Sequence, residues 1–287
     1  MNDVKYNVVM FAYNEAENIE ASINSVFKNC SDGLNRYCLI ANGCTDETVD
    51  IAHQIKAKLG FDALEVIEIA LGDKCNAWNT YIHEIADNAS VHFFCDADVQ
   101  FSADCFDILS RHLATTSDKT VVIAGLPLSG RNIEFYRSLV LERACFFGNL
   151  YGMKNTFLER IREKPFKLPI GLNWIDSFLT KAVNTDLNFF DYNLPDRTTW
   201  LEGAGYYFEG LSVFRKADIK LYINRIARYE LGKIQEIFLD QLPIDKWPLN
   251  MRVINEKIDT DFKALTSHLS PVKTFLVRKR LNRLLKK

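Results

Sequence analysis

Two aspartates separated by one residue, Asp96-Ala97-Asp98, stand directly after the apolar run Val91-His-Phe-Phe-Cys95. In extended geometry residues i and i+2 project to the same side, so the two carboxylates face one way and repel each other. A divalent cation relieves that repulsion. Mg²⁺ and Mn²⁺ favour one or two carboxylates and complete their octahedron with water and phosphate oxygens. The competing reading is a capped turn ahead of a helix expected at about residues 103–114. Placement at a strand end favours the cation, which is one way to hold a diphosphate. Other ways are missing. The first apolar run is followed by Tyr13-Asn14-Glu15, with no glycine to let a pyrophosphate approach the backbone. There is no Gly-x-x-x-x-Gly-Lys, and Gly203-Ala-Gly205 is a lone pair in a different context. Dinucleotide and ATP-dependent enzymes of the usual kinds are therefore disfavoured.

The elements that would position these residues follow from hydrophobic periodicity. Tyr6–Ala12 is a continuous apolar run of strand length, as expected of a parallel strand buried on both faces. Ile19, Ile23 and Val26-Phe27 then share one helical face. Tyr37–Ala41 predicts a second strand, followed by the turn Asn42-Gly43-Cys44-Thr45-Asp46, where Thr45 or Asp46 can cap a helix carrying Val49, Ala52, Ile55 and Leu59 inward. Strands are expected at Leu64–Ile69, Val91–Cys95 and Thr120–Ala124, with helices over 74–87 and 103–114. This alternation predicts an α/β fold whose central sheet is mostly parallel, with helices on both faces. Ligands bind such sheets at the C-terminal strand ends, which is where the polar clusters 13–15, 42–46 and 96–98 fall. Beyond about residue 130 the alternation stops. Helices are expected over Glu134–Met153, 174–183 and Ile219–Phe238, with strands and turns over Trp200–Val213 and a linker bracketed by Pro243 and Pro248. The expected organisation is 1–130 as an α/β half, 131–240 as a second half, and 241–287 as linker and helical C-terminal tail.

Composition narrows the class. The chain has 287 residues, 48% hydrophobic and 25% charged, with a formal net charge of −2. A basic field suited to nucleic acid is absent. The near-neutral total conceals an asymmetry. Residues 271–287 hold seven basic side chains and no acidic one, leaving about −9 for residues 1–270. No run approaches the ~18 apolar residues of a membrane-spanning helix, and the first residues do not read as a signal peptide. The seven cysteines are odd in number and widely spaced, with no Cys-x-x-Cys, as expected of reduced thiols in a cytoplasmic protein.

The motifs in order resemble those of family 2 glycosyltransferases with the GT-A fold. Tyr13-Asn14-Glu15 matches the segment ending the first strand. Asn42-Gly43-Cys44-Thr45-Asp46-Glu47-Thr48 matches an Asp/Asn-Gly-Ser/Cys-x-Asp-x-Thr segment, Lys74-Cys-Asn-Ala-Trp-Asn79 a Lys-x-x-Ala-x-Asn, and Asp96-Ala97-Asp98 the metal motif. In Trp174-Ile175-Asp176-Ser-Phe-Leu179 one acid of the family's acidic pair and the Leu are kept, with Ile175 in place of the first acid. Arg225-Ile-Ala-Arg228-Tyr229 resembles the Gln/Arg-x-x-Arg-Trp of processive and ceramide-glucosyltransferase-like members, with Tyr for Trp and Gly232 following.

The resemblance implies inverting transfer from a UDP-sugar to a hydroxyl acceptor, with 1–130 as the nucleotide-sugar-binding half and 131–240 as the acceptor-binding and catalytic-base half. Tyr13 and Glu15 would border the base and ribose, Asn42 would stand where an Asp usually meets uracil, and Lys74 would meet a phosphate or the base. Asp98 would bind Mg²⁺ or Mn²⁺ directly, and Asp96 would face the ribose or the metal's water shell. Ala12, Asp46 and Ala97 complete the expected nucleotide-sugar site. Arg225 and Arg228 would add positive charge near the leaving diphosphate, and Asp176 would be the base. Two other readings compete: a catalytically degenerate domain that binds nucleotide-sugar as a scaffold, and a nucleotidyltransferase, whose Gly-rich loop Tyr13-Asn14-Glu15 does not resemble. Read as a helix, residues 273–287 place Val277, Leu281, Leu284 and Leu285 on one face, with basic residues elsewhere. A basic amphipathic helix of this kind lies on anionic membrane or docks on the acidic body. The first option suggests a cytoplasmic, peripheral enzyme acting on a saccharide or lipid-linked acceptor.

Overall fold

A computed structural model describes residues 4–130, 132–164, 166–208 and 216–286. In chain order the elements are β1 (Tyr6–Ala12), α1 (Ile19–Asn29), β2 (Leu34–Asn42), α2 (Thr48–Leu59), β3 (Leu64–Ile69) and α3 (Lys74–Thr80), which continues as a π-helical turn, Tyr81–Ile85. Then come β4 (Val91–Asp96), β5 (Val99–Phe101), α4 (Cys105–Thr115), β6 (Val122–Pro127), α5 (Ile133–Arg143), β7 (Leu150–Lys154), α6 (Asn155–Glu163), α7 (Ile175–Asn184) and β8 (Thr198–Phe208). Four helices follow: α8 (Lys216–Asp240), α9 (Arg252–Thr260), α10 (Phe262–Leu265) and α11 (Pro271–Leu285). The chain forms two compact units, Met1–Lys164 with Thr180–Glu209, and Pro165–Leu179 with Gly210–Lys287.

The first unit is built on a sheet of order β3-β2-β1-β4-β7-β6-β8-β5. β3, β2, β1 and β4 are mutually parallel, and β6 pairs β8 in parallel. β7 is antiparallel to both β4 and β6, and β5 is antiparallel to β8. The sheet is therefore mixed, not mostly parallel as the sequence suggested. The correction lies in β7. Residues 134–153 read as one helix, but α5 ends where Ala144 takes a left-handed φ of 52°, and Leu150–Lys154 returns as a strand between β4 and β6. Gly152 permits this: a Cβ there would come within 2.6 Å of the Phe93 ring.

Alternation along β1 and β4 divides the core. Tyr6, Val8, Met10, Ala12, Phe93 and Cys95 join the cluster formed with α1, α2 and α4. On the opposite face Phe94 packs against Trp78, Tyr81 and Tyr151. Burial on both faces is why these strands read as unbroken apolar runs. On the second face a polar network centres on the buried side chains of Asn7, Tyr81 and His92 and reaches half-buried Asp87 and Asn155. His92 Nε2 lies 3.0 Å from Asn155 Oδ1, and His92 Nδ1 lies 2.7 Å from the Tyr81 hydroxyl. Asn7 Nδ2 donates to Tyr81 Oη (3.2 Å) and Asp87 Oδ1 (2.7 Å). The π-helical turn closes with Ala86 N–H bonded to Tyr81 O, and Arg162 donates to the Ile82 and Ala86 carbonyls, both at 2.6 Å.

The second unit is helical. Trp174, just ahead of α7, packs on α8: a Cβ on Gly232 would lie 2.4 Å from Trp174 Cβ, and the rings of Trp174 and Tyr229 are 5.8 Å apart. α11 starts at a Ser270 cap with Pro271 in its first turn. It packs against α8 and α9, fully burying Val277 and Leu281. Lys273 Nζ meets Glu230 Oε1 at 2.6 Å, and Arg278 pairs with Asp259 above the Phe262 ring. The apolar stripe that the sequence offered to a membrane is thus turned inward through Val277 and Leu281, while Lys279, Arg283 and Lys286 are exposed. Among the described residues no helix is long and apolar enough to cross a membrane.

Candidate active site

Parallel neighbours β2, β1 and β4 end at one edge of the sheet, which brings the loops 13–16, 42–48 and 96–98 together. Hydrogen bonds between the first two loops fix their shape. Asn14, at a left-handed φ of 56°, accepts from Thr45 N–H (2.8 Å) and donates to Thr45 Oγ1 (3.2 Å). Glu15 N–H donates to Thr48 Oγ1 (2.8 Å), and Ala16 N–H to Asp46 Oδ2 (3.1 Å). The other Asp46 oxygen takes the Thr48 N–H and hydroxyl. Burial is the largest single influence on the Asp46 carboxylate and acts to raise its pKa, but these donors together outweigh it and hold the pKa below the usual range. Asp46 therefore acts here as a brace between the loops.

The next loop is drawn in by backbone contact. Gly43, with φ of 67°, lies so close to Gly72 that a Cβ would be 2.6 Å from Gly72 N. Asn42, buried at the end of β2, accepts from Asp73 N–H through Oδ1 at 2.9 Å. Asp73 in turn caps α3, accepting from Cys75 N–H (2.9 Å) and Asn76 N–H (3.1 Å). This chain delivers Lys74 to Asp96, with which it forms a close ion pair, 5.9 Å above the centre of the Phe11 ring. The Tyr13 ring lies over Gly72 and is 56% exposed, an open flat surface beside the strand ends.

Carboxylates gather at the same edge. Asp96 is half-buried, Ala97 buried and Asp98 exposed. Burial raises the Glu15 carboxyl to about 7, and Asp98, Asp96 and Asp46 push it the same way; the Asn18 amide, 2.9 Å from Oε2, opposes. Burial is the larger cause, and the three acids around Glu15 add negative charge to a locus where a cation is favourable. The donor set is hard oxygen and fits a divalent cation. Among the described residues no group of three or more His, Cys, Asp and Glu is arranged around a metal position. An ion here would take few protein ligands, with water and diphosphate oxygens supplying the rest.

The first unit thus brings together Ala12, Tyr13, Glu15, Asn42, Asp46, Lys74, Asp96, Ala97 and Asp98. Asp176, Arg225 and Arg228 belong to the second unit. Asp176 is half-buried in the first turn of α7, where a carboxylate suits the helix dipole. Arg225 is half-buried and Arg228 exposed on α8. Sequence reasoning missed the bracing residues Asn14, Thr48 and Asp73. Asn14 and Thr48 lay inside the matched motifs without a bracing role being read from them, and Asp73 carried the signal of a capping residue directly ahead of a helix.

An α/β sheet whose strand ends carry an acidic pair, a lysine and interlocked polar loops defines the GT-A class of transferase fold. The chain belongs to glycosyl transferase family 2, whose family model matches residues 7–174, and it is a glycosyltransferase. No curated protein sequence matches it. Among solved structures it is similar to a mannosyltransferase from Pyrobaculum calidifontis in complex with GDP-Man and Mn²⁺. That likeness has a TM-score of 0.61 at 18% identity and covers 98% of this chain and 74% of that one. GalNAc-T7 with UDP, GalNAc and Mn²⁺ matches at TM-score 0.55 and 11% identity, over 91% of this chain and 58% of that one. Glucosyl-3-phosphoglycerate synthase from Mycobacterium tuberculosis, with Mn²⁺, UDP and glucosyl-3-phosphoglycerate, matches at TM-score 0.53 and 15% identity, over 78% of each chain. At these identities the likeness is one of fold.

Proposed function

We propose that this glycosyltransferase moves a sugar from a UDP-sugar to a hydroxyl acceptor with inversion at the anomeric carbon. The observation that carries the reading is the convergence of Asp96, Asp98, Glu15 and Lys74 at the ends of β1 and β4. Asp98, with Asp96 beside it, holds Mn²⁺ or Mg²⁺; the ion, when bound, offsets the charge that develops on the leaving diphosphate. The fold neighbours whose structures contain Mn²⁺ and a nucleotide or nucleotide-sugar support this choice.

Tyr13 offers its ring to the base, Glu15 borders the ribose, and Asn42 with Ala12 and Asp46 bounds the nucleoside. Lys74 carries positive charge to the diphosphate side of the site, and Ala97, whose side chain enters the core, lends its backbone between the acids. Asp176 takes the proton of the attacking hydroxyl. Positioned proton transfer is worth roughly 10²–10⁴ in rate. Arg225 and Arg228 supply fixed positive charge as the diphosphate leaves, the role suggested by the ceramide-glucosyltransferase-like spacing of Arg225-Ile-Ala-Arg228-Tyr229. The division into a donor half, an acceptor half and a C-terminal tail follows the same reading.

The acceptor we favour is a saccharide or lipid-linked saccharide at the cytoplasmic face of a membrane. The support is the exposed cationic side of α11, Lys279, Arg283 and Lys286, since such residues contribute about 1 kcal/mol each near an anionic surface. The test of the central reading is Asp98→Ala. Mn²⁺-dependent UDP binding and sugar transfer should both be lost. Retention of metal-dependent transfer refutes the assignment.

A further inference from the structure

The turn that carries Asp98 is held from behind by a helix. Ser22, on α1 and only 1% exposed, places its Oγ 2.9 Å from Ala97 O and 2.8 Å from Val99 O. Those two carbonyls flank Asp98 on either side, and one hydroxyl hydrogen is shared between them. One turn further along α1, Ser25 Oγ accepts from Phe101 N–H at 2.7 Å. Asn29 Nδ2 donates to Ser25 O (2.9 Å) and reaches Phe101 O (3.4 Å). Ser22, Ser25 and Asn29 therefore make a polar stripe at helical spacing, next to the apolar stripe Ile19, Ile23 and Val26 that enters the core. Buried polar side chains persist only when paired, and this pairing is to the backbone of a turn.

We propose that Ser22 is a positioning residue: by tying together the carbonyls of Ala97 and Val99, the residues either side of Asp98, it sets the aim of that carboxylate, and so the affinity for a divalent cation with a nucleoside diphosphate, while touching neither. The inference rests on the reading of Asp98 as the cation ligand. Removing groups that orient a metal ligand typically weakens metal binding 10- to 100-fold.

The experiment compares wild type, Ser22→Ala, Ser22→Thr and Ser25→Ala by calorimetric titration of UDP with and without Mn²⁺, by thermal melting, and by amide exchange over residues 96–101. Ser22→Ala should weaken Mn²⁺-dependent UDP binding about tenfold or more and speed exchange of the Asp98 and Gln100 amides, which share their peptide units with the two carbonyls that Ser22 holds. Ser22→Thr, which keeps the hydroxyl, should restore most of both. Ser25→Ala loses a hydrogen bond of similar burial further along the same strand; it should lower the melting temperature while leaving the binding constant within twofold. If Ser22→Ala folds poorly, Ser22→Cys retains the volume with a much weaker donor and is read in the same way. Binding by Ser22→Ala within twofold of wild type, or an equal loss in Ser25→Ala, overturns the proposal. Absence of Mn²⁺-dependent UDP binding in wild type fails the cation reading instead, and unchanged exchange of the Asp98 and Gln100 amides in Ser22→Ala then also overturns the clamp.

Discussion

His92 gives a prediction that can be worked through from its surroundings. The side chain is fully buried on β4. Asn155 donates through Nδ2 to Glu159 Oε1 (2.9 Å), which turns Asn155 Oδ1 toward His92. The imidazole therefore carries its hydrogen on Nε2, and Nδ1 accepts from the Tyr81 hydroxyl. Burial lowers the His92 pKa to about 4; the Asn155 hydrogen bond and Asp87 push the other way without restoring it. In the unfolded chain a histidine titrates near 6.5. Above that pH both states are neutral and nothing is lost. As pH falls from 6.5 toward 4 the unfolded chain takes up a proton that the folded one refuses, so stability declines. Between pH 7 and pH 5 the loss is about 2 kcal/mol. His92→Gln supplies a donor and an acceptor in the same network but does not titrate. Urea unfolding of both proteins at pH 7 and pH 5 isolates the term, because every other group cancels in the difference. Glu15 needs that cancellation. Its raised pKa acts oppositely, its contribution being present below about 4.5 and lost as pH rises to about 7. The stability advantage of wild type over His92→Gln should shrink by about 2 kcal/mol at the lower pH. An advantage equal at both pH values, or an NMR midpoint for His92 near 6.5, refutes the reasoning.

Other outcomes follow from the second unit. Gly232→Ala should destabilise by roughly 1–3 kcal/mol, seen as a lower melting temperature, because the new methyl meets Trp174 Cβ at 2.4 Å and its backbone N at 2.8 Å. An exposed helical site would have gained about 1 kcal/mol from the same change. Asp176→Asn should lower kcat by at least tenfold with little change in UDP affinity; a smaller fall places the base elsewhere. Removing α11 should unfold part of the second unit, since Val277 and Leu281 leave the core. The membrane reading is therefore better tested by Lys279→Glu with Arg283→Glu and Lys286→Glu. Flotation with vesicles rich in phosphatidylserine should be lost while the melting temperature is kept, and unchanged flotation removes the membrane contact.

How much of this was legible depended on which physical signal each element leaves. β1, β2 and β4 are buried on both faces, so their apolar runs are continuous and short, and the polar residues that follow them could be placed at one edge before any coordinates existed. β7 left no such trace. It is five residues long, contains Gly152, and follows α5 closely enough that its apolar residues extend a helical pattern. Its antiparallel pairing depends on close approach to Phe93, a tertiary fact. Within the site, types and spacing identified the two aspartates and Lys74, but not the raised pKa of Glu15, which comes first from its burial in the folded chain and then from the positions of three other carboxylates. Ser22 and Ser25 read as ordinary polar positions on an amphipathic helix, and only packing reveals that their partners are backbone groups. In the tail the amphipathic pattern was clear, yet pattern alone does not choose between lipid and α8.

The π-helical turn at Tyr81–Ile85 makes the stretch from Lys74 onward a gauge of fixed length. Its start is set by Asp73 and Asp96, its middle by Tyr81 on His92, and its end by Arg162 on the Ile82 and Ala86 carbonyls. About 10 Å of helix separates Lys74 from Tyr81. Dropping one residue from the wide turn would restore ordinary helical winding, but would rotate one end against the other by about 100°. Lys74 and the end held by Arg162 could then no longer both meet their partners. Side chains along this stretch can be exchanged one at a time, but its residue count is constrained at both ends, so insertions and deletions that surface loops absorb have no slack to take up here.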